Sequence, residues 1–265
     1  MTIDIAENLH AMGLCASRDA LQALLAHATK SRLSPTEVVE HIVLLERRER
    51  DARNLTSRTK RATLGSLKPL DRFDWSFPRV IDRPRYEVLL PLTFTNDGHN
   101  VLLRGPSGVG KTMLAKNLGL KGLENGKTVC FSTVNAALAD LLKQESMPAV
   151  ERRLKRYVTP DILILDELGY LPCDARSGDL LYGIINRRHE RSSTIITTNL
   201  AFKDWGVVFP GAACVVALVD RFTQHCHILD IEGDSWRQRA DSPPPDATRR
   251  SKRLPAAKKA ARRNR

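Results

Sequence analysis

The sequence predicts an α/β fold whose centre is a mostly parallel, five-stranded sheet. Five short apolar segments alternate with segments of helical pattern, which is typical of a sheet covered by helices on both faces. The predicted strands are 101–103, 128–131, 162–165, 194–197 and 228–231. A glycine-rich segment follows the first strand and two carboxylates follow the third. Ligands of open α/β sheets bind at the carboxyl ends of the strands, so both features belong at that edge.

A small all-helical domain is expected before the sheet, over residues 1–62. Leu21, Leu24 and Leu25 recur at helical spacing in this region. The segment Ser34-Pro35-Thr36-Glu37 then combines a capping box with proline at the first helical position, so it predicts the start of a second helix. Between 47 and 61 this helix becomes rich in arginine and lysine. Such a surface is either an ordinary solvated helix face or one that follows a phosphate backbone.

The segment from Gly105 to Thr112 has the GxxxxGKT pattern of a phosphate-binding P-loop, between an apolar strand and a helix that opens at Met113. Backbone N–H groups and the helix N-terminus would hold the phosphates of ATP there. Lys111 is expected near the β- and γ-phosphates, and the hydroxyl of Thr112 on Mg²⁺. The predicted nucleotide-binding residues are Gly105, Pro106, Ser107, Gly108, Val109, Gly110, Lys111 and Thr112.

Asp166 and Glu167 directly follow the apolar run 162–165, and they stand fifty-five residues after Lys111. This is the arrangement of a Walker-B strand, in which the aspartate binds the Mg²⁺ complex. The adjacent glutamate would orient and deprotonate the water that attacks the γ-phosphate. The pair therefore favours hydrolysis of ATP over transfer to a small acceptor.

Four more polar residues are candidates for the same chemistry. The next strand ends at Thr198-Asn199, and either side chain could bind the attacking water or the γ-phosphate; an asparagine there is also an ordinary turn residue. Arg221 and Arg237 could stabilise the transition state of phosphoryl transfer, or could be surface ion-pair partners. The sequence alone does not show whether either guanidinium points toward the nucleotide.

The formal net charge is +12, and the 249–265 segment holds nine lysines and arginines and no acid. Together with the prolines at 243–245, this composition predicts a disordered basic tail over 241–265 and favours a nucleic-acid partner. The five cysteines are far apart, so a reduced, cytoplasmic protein is expected. An apolar run long enough for a membrane span was not found in the sequence.

These features together resemble the ATPase helper proteins of IstB-type insertion-sequence transposition systems, an AAA+ family related to the DnaC-type helicase loaders. The resemblance covers roughly residues 9–239, and the segments after the Walker-B strand and around Trp236 are its most specific parts. The matching segments are Leu33-Ser34-Pro35-Thr36-Glu37, Gly98 to Leu103, Gly105 to Thr112, Leu165-Asp166-Glu167-Leu168-Gly169-Tyr170-Leu171-Pro172, Thr198-Asn199-Leu200-Ala201-Phe202, Trp205, Asp220-Arg221 and Gly233-Asp234-Ser235-Trp236-Arg237.

The resemblance implies roles for the candidate residues. Asn199 matches the sensor-1 position, Arg221 the arginine finger that reaches the nucleotide of a neighbouring subunit, and Arg237 the sensor-2 arginine. It also implies ATP and Mg²⁺ as cofactors, a homo-oligomer on double-stranded DNA with little sequence preference, and a transposase as partner. Trp236 and Phe222 stand where the family more often has tyrosine and leucine, and the basic tail is longer than expected.

The expected organisation is therefore a helical N-terminal domain over 1–62 with DNA or oligomer contacts, a linker with one short helix over 63–98, an AAA+ ATPase domain over 99–240, and the tail over 241–265. A replicative helicase loader is the alternative function, since it shares the same core chemistry. A DNA-binding module with ATP as a structural ligand and a small-molecule kinase are two further alternatives. Glu167 and Arg221 argue against the module, and the sequence shows no arginine-rich lid for a kinase.

Overall fold

A six-stranded sheet forms the centre of the computed structural model, which describes residues 4–169 and 174–236. In space the strands follow the order β1-β6-β2-β5-β4-β3. All adjacent pairs are parallel except β1 with β6, which is antiparallel. The strands are β1 (Val80–Ile81), β2 (Asn100–Arg104), β3 (Val129–Thr133), β4 (Ile162–Leu168), β5 (Ser193–Thr198) and β6 (Cys226–Glu232).

The α/β fold with its mostly parallel sheet is confirmed, but the predicted number of five strands is wrong. The additional strand, β1, comes from the segment that was expected to be a linker, where Val80 pairs with Glu232 and Ile81 with Ile231. Two residues are too few to show an alternating pattern, and their partners lie about 150 positions later in the chain, so no local signal marks this strand.

The single short helix expected around 83–95 is in fact two shorter elements. Helix α4 (Arg83–Glu87) is followed by a 3₁₀ turn at Thr93–Thr95, and a further 3₁₀ turn lies at Leu70–Arg72. Leu92 between them has a φ of 62°, a left-handed conformation that ends a right-handed helix. Pro91 adds to the interruption because it lacks a backbone N–H.

Two hydrophobic cores cover the two faces of the sheet. Successive residues of β4 point to opposite faces, so Leu163 and Leu165 join one core while Ile162 and Ile164 join the other. This two-sided burial explains the uninterrupted apolar run before Asp166. The remaining helices of the sheet domain are α5 (Lys111–Glu124), α6 (Val134–Leu142), α7 (Met147–Val158), α8 (Ala175–Arg188), α9 (Trp205–Val208) and α10 (Val215–Thr223).

The N-terminal region is helical, as predicted, and contains α1 (Ile5–Ala11), α2 (Arg18–Ser31) and α3 (Pro35–Ala62). A small cluster around Ala6 and Leu21 joins these helices, with Ile42 of α3 packed against it. The predicted capping box is present, because Ser34 Oγ accepts the N–H of Glu37 and Glu37 accepts the N–H of Ser34. At its other end α3 contributes Ala62 to one core of the sheet domain. One continuous helix therefore belongs to both the N-terminal cluster and the sheet domain.

Several predicted features lie outside the described residues, namely Tyr170 to Cys173, Arg237 and the basic tail at 241–265. Within the described ranges, no helix combines the length and the apolar character that a membrane span requires.

Candidate functional site

The loop between β2 and α5 has a backbone conformation that glycine permits. Gly108 and Gly110 have φ angles of 84° and 97°, in the left-handed region. A Cβ atom on Gly110 would lie 2.5 Å from Cε2 of Phe73, and one on Gly108 would overlap Ser235. Backbone conformation and close packing therefore both require glycine in this loop. The loop ends at the N-terminus of α5, where N–H groups without helical partners can bind an anion.

Lys111 and Thr112, the first two residues of α5, lie on the inner side of this loop. Lys111 is buried, and its Nζ donates to the carbonyl oxygens of Gly105 and Pro106, both at 2.7 Å. The hydroxyl of Thr112 lies 3.0 Å from each carboxylate oxygen of Asp166. The structure thus brings the end of the glycine-rich loop into direct contact with the acid that follows β4's apolar run.

A β-bulge in β4 shapes the acidic end of this strand. Leu165 pairs with Ile196 of β5, but the next pair joins Leu168 to Thr198, so β4 holds one extra residue. Glu167, inside the bulge, has a φ of 64°, which costs about 1 kcal/mol or more for a residue that is not glycine. The bulge places Glu167 on the wall of the cavity beside the glycine-rich loop, while Asp166 stays buried.

Thr197 of β5 holds these two acidic residues in register. Its hydroxyl donates to Oδ1 of Asp166 at 2.5 Å and accepts the backbone N–H of Glu167 at 2.9 Å. No pattern in the sequence indicates Thr197 as part of this site. The sequence favours the next two positions, Thr198 and Asn199, and the structure places neither beside the two acids.

The side chain of Thr198 is fully buried, where its hydroxyl donates to the carbonyl of Leu168 and accepts the N–H of Leu200. Asn199 is exposed just after β5, with its Oδ1 close to Gly169. Neither residue lines the cavity beside the glycine-rich loop in the described part of the chain. The sensor-1 role of Asn199 therefore stays a prediction.

The cavity measures about 340 Å³, and aromatic side chains form its outer wall. Phe73 and Phe77 come from the segment between α3 and β1, and Trp236 follows β6. The rings of Phe77 and Trp236 meet edge to face with centroids 4.7 Å apart. The backbone N–H of Trp236 donates to the carbonyl of Gly108 at 3.1 Å. The sequence contained a signal for this wall, because three aromatic residues lie within the five positions 73–77 of a proline-containing segment.

The side chains around the glycine-rich loop fit a nucleotide with its magnesium ion. The hydroxyl of Thr112 and the carboxylate of Asp166 present oxygen atoms, which Mg²⁺ prefers as ligands. The loop offers N–H groups and the ammonium of Lys111 to phosphates, and the aromatic wall offers flat apolar faces to a base.

Arg221 lies at the opposite edge of the sheet from the glycine-rich loop. It is near the end of α10, and Asn100 at the start of β2 fixes this end by donating its Nδ2 to the carbonyl of Phe222 at 3.0 Å. The Arg221 guanidinium makes no hydrogen bond or ion pair to any residue in the described ranges; it lines a second cavity with the end of α8. Arg237 directly follows Trp236 but lies outside these ranges.

Comparisons with known proteins agree with this arrangement. A family model described as IstB-like ATP binding protein matches residues 7–243. An insertion sequence IS21 putative ATP-binding protein of Pseudomonas aeruginosa is 37% identical over 217 residues, which cover 82% of each chain. An insertion sequence IS5376 putative ATP-binding protein of Geobacillus stearothermophilus is 31% identical over 235 residues, covering 89% of this chain and 94% of the relative.

A similar fold is found among solved structures. The crystal structure of DnaI superposes with a TM-score of 0.51 at 18% identity, and the match covers 65% of this chain and 90% of that chain. The α/β fold with its mostly parallel sheet is thus shared with DnaI. With the family match over nearly the whole chain and the phosphate-binding geometry of 105–112, the chain belongs to the IstB-like ATP-binding proteins of insertion sequences.

Proposed function

We propose that this protein is an ATP-dependent transposition helper. In this proposal it binds ATP with Mg²⁺, assembles as a homo-oligomer on duplex DNA, hydrolyses ATP and directs a partner transposase to target DNA. The contact of Thr112 with Asp166, with Glu167 placed beside it by the β4 bulge, carries the proposal. The names of the insertion-sequence relatives support the transposition context.

ATP would occupy the cavity beside the glycine-rich loop. Loop amides and the ammonium of Lys111 would bind the phosphates, because Lys111 already lies against the loop carbonyls. Phe77 and Trp236 would contact the base through their apolar ring faces. Thr112 and Asp166 would hold Mg²⁺, which when bound neutralises charge that develops on the phosphate oxygens.

Glu167 would act as the general base for the attacking water. It borders the cavity at the γ-phosphate end of the loop, near the buried carboxylate of Asp166. Thr197 also lines the cavity, and it would act as a positioning residue through its contacts with Asp166 and the backbone of Glu167. This division of roles gives hydrolysis of ATP to ADP and phosphate, with water as the acceptor of the γ-phosphoryl group.

Arg221 would act on the nucleotide of a neighbouring subunit. The P-loop follows the carboxyl end of β2, whereas Arg221 lies near the amino end of this strand. The strand itself is about 17 Å long. An arginine supplied in trans would couple hydrolysis to assembly, since each complete site would then need two chains. Arg237, next to Trp236, would supply the sensor-2 guanidinium.

Duplex DNA is the proposed polyanionic partner. The net charge of +12 favours it, and α3 exposes Arg47, Arg48 and Arg53 along its middle. Contacts of this kind would be largely independent of sequence, because they neutralise phosphates rather than read bases.

The test is DNA-stimulated release of phosphate from ATP, measured for the unaltered protein and for Glu167→Gln. We expect the unaltered protein to hydrolyse ATP and the variant to be slower by a factor of about 10² to 10⁴ with ATP binding retained. Asp174→Asn, a change of one acid outside the cavity, is the control and should leave the rate unchanged. Equal, negligible rates in the unaltered protein and Glu167→Gln would support a binding module in place of an ATPase.

Binding partners separate the transposition helper from a helicase loader. A transposase encoded beside this chain should bind the ATP-loaded protein on DNA. Binding of a replicative helicase ring without binding of that transposase would establish the loader function instead.

A further inference from the structure

A third cavity, about 380 Å³ in volume and distinct from the one lined by Arg221, opens between the end of α3, helix α7 and the start of β3. Four of its lining side chains are basic: Arg58 and Arg61 from α3, and Lys155 and Arg156 from α7. Hydroxyl groups of Thr128 and Thr159 also line it, and no acidic residue among the described parts of the chain does so. We call this site the basic cavity.

Nearby acids are already engaged elsewhere. Glu151 of α7 forms a two-point ion pair with Arg187, and Asp140 of α6 pairs with Arg153. Asp161 accepts both the N–H and the hydroxyl of Thr128 at 2.7 Å. In the described ranges, none of the four basic side chains has a carboxylate within ion-pair distance, although Glu151 and Asp140 interact with Lys155 and Arg156 through their charges. The cavity therefore carries an excess of positive charge, which favours an anion.

Arg58 has a donor that lacks an acceptor. Its Nη2 donates to the carbonyl of Leu123 at 3.3 Å, but its Nε is buried and has no hydrogen-bond partner in the described part of the molecule. A buried donor without a partner costs about 1–3 kcal/mol, so such groups commonly mark a ligand or water position. Phosphate oxygens match the planar guanidinium of arginine especially well.

This site is separate from the proposed ATP site. Thr128 precedes β3 and Pro160 precedes β4, so the basic cavity lies at the amino edge of the sheet. The glycine-rich loop lies at the carboxyl edge. In the described ranges, the basic cavity is lined by four cationic side chains, two threonines and Cys130, with no carboxylate. Such a lining suits a phosphate in a polymer backbone, independent of sequence.

We infer that the basic cavity receives a backbone phosphate of duplex DNA, held by Arg58 and Arg156 with Arg61 and Lys155 around it. This inference rests on the proposed function and assigns the DNA a contact at the junction of α3 with the sheet domain. A phosphodiester in the basic cavity would contact α3 and α7 together, because these two helices supply the basic side chains of the cavity.

The test is the salt dependence of binding to a 30-base-pair duplex, measured by fluorescence anisotropy with Mg²⁺ and a non-hydrolysable ATP analogue between about 50 and 200 mM salt. Arg58→Gln, Lys155→Gln and Arg156→Gln each remove one charge from the cavity. Arg152→Gln removes one charge from an exposed position on the same helix α7 and is the matched control. Thermal unfolding of every variant identifies those that fold, and Lys155 is exposed enough that its variant should not disturb the core.

We expect the slope of log Kobs against log salt to become shallower by about 1 in the cavity variants and to stay unchanged in Arg152→Gln. Unchanged slopes in folded cavity variants, or an equal change in the control, would overturn the cavity inference and leave the DNA proposal standing. Absence of duplex binding by the unaltered protein would overturn both. Inorganic phosphate that binds the unaltered protein and not Arg58→Gln, with equal DNA slopes, would identify a small-anion site instead.

Discussion

The hydroxyl of Thr197 joins the two acidic residues of the candidate site, because it donates to the carboxylate of Asp166 and accepts the backbone N–H of Glu167. The bulged backbone at Glu167 in β4 is therefore also fixed by a hydrogen bond to a side chain of the neighbouring strand β5. The positions of both acids therefore depend on a single hydroxyl of β5, which itself lies on the cavity wall.

Replacing Thr197 with valine should lower the rate of ATP hydrolysis by roughly tenfold. Valine keeps the shape of threonine but removes both hydrogen bonds, and one such loss at a buried site corresponds to about 1–3 kcal/mol. Thr197→Ser retains the hydroxyl and should restore most of the rate. The measurement is kcat with ATP affinity determined separately; a matching loss in the serine variant would mean that packing, and not the hydroxyl, is responsible.

Much of the candidate site could be predicted because its motifs are local in the sequence. The loop from Gly105 to Thr112 and the acids after β4 each carry their signal within eight residues. Thr197 could not be identified in this way, because its role depends on the register of β5 against β4. The bulge between Leu165 and Leu168 sets that register, and no pattern in either strand reveals it.

The less predictable parts of the fold depend on contacts between distant segments. Strand β1 exists through its pairing with β6, and the aromatic wall forms because Phe77 meets Trp236, which lies more than 150 positions later. Arg188 is a further case. An arginine in the last turn of a helix is typically solvated, but this one is almost completely buried.

The buried guanidinium of Arg188 stabilises the amino edge of the sheet. It donates to Thr194 Oγ1 and to five carbonyl oxygens, which belong to Tyr157, Val158, Pro160, Asp161 and Ser193. Burial lowers its pKa to about 9, so the group stays charged at neutral pH. The acceptors include the last carbonyls of α7, whose partial negative charge favours a cation.

Arg188→Met should therefore reduce the free energy of unfolding by about 3 kcal/mol or more, because several buried carbonyls lose their donors at once. Its neighbour Arg187 provides the control, since Arg187 forms a partly exposed pair with Glu151. Arg187→Met should cost less than about 1 kcal/mol. Urea unfolding monitored by circular dichroism compares the two, and equal losses would show that Arg188 has no special structural role.

Glu46 connects α3 to the loop before α2. Its carboxylate accepts the backbone N–H groups of Cys15 and Ala16 at 2.9 and 3.0 Å, and Arg50 pairs with it. The hydrogen bond from Cys15 is the main cause that lowers the pKa of Glu46 to about 2 from 4.5. Because the pKa is depressed in the folded state, the stabilisation is present above about pH 4.5 and is lost as the pH falls toward 2.

Hydrogen exchange of residues 5–31 should therefore show decreasing protection as the pH falls from 4.5 toward 2, after correction for the intrinsic exchange rate. Glu46→Gln should reduce protection at pH 7 and flatten this pH dependence, because its amide does not titrate. Glu40→Gln, an exposed change on the same helix, is the control. A variant at Glu46 that kept the full pH dependence would assign it to other groups.

Arg221 yields a prediction that distinguishes action in trans from action within one chain. Arg221→Ala alone and Lys111→Ala alone should each be nearly inactive in ATP hydrolysis, since one lacks the finger and the other the phosphate ligand. In a mixed oligomer, some intact P-loops of the Arg221→Ala chain face intact arginines of the Lys111→Ala chain. Random mixing in equal amounts creates such an interface at about one position in four, so about a quarter of the unaltered activity should return.

Each variant at the same total concentration is the control. If the arginine served its own chain, every mixture would give only the sum of the two inactive proteins, and the position of Arg221 at the amino edge of the sheet would need a different explanation.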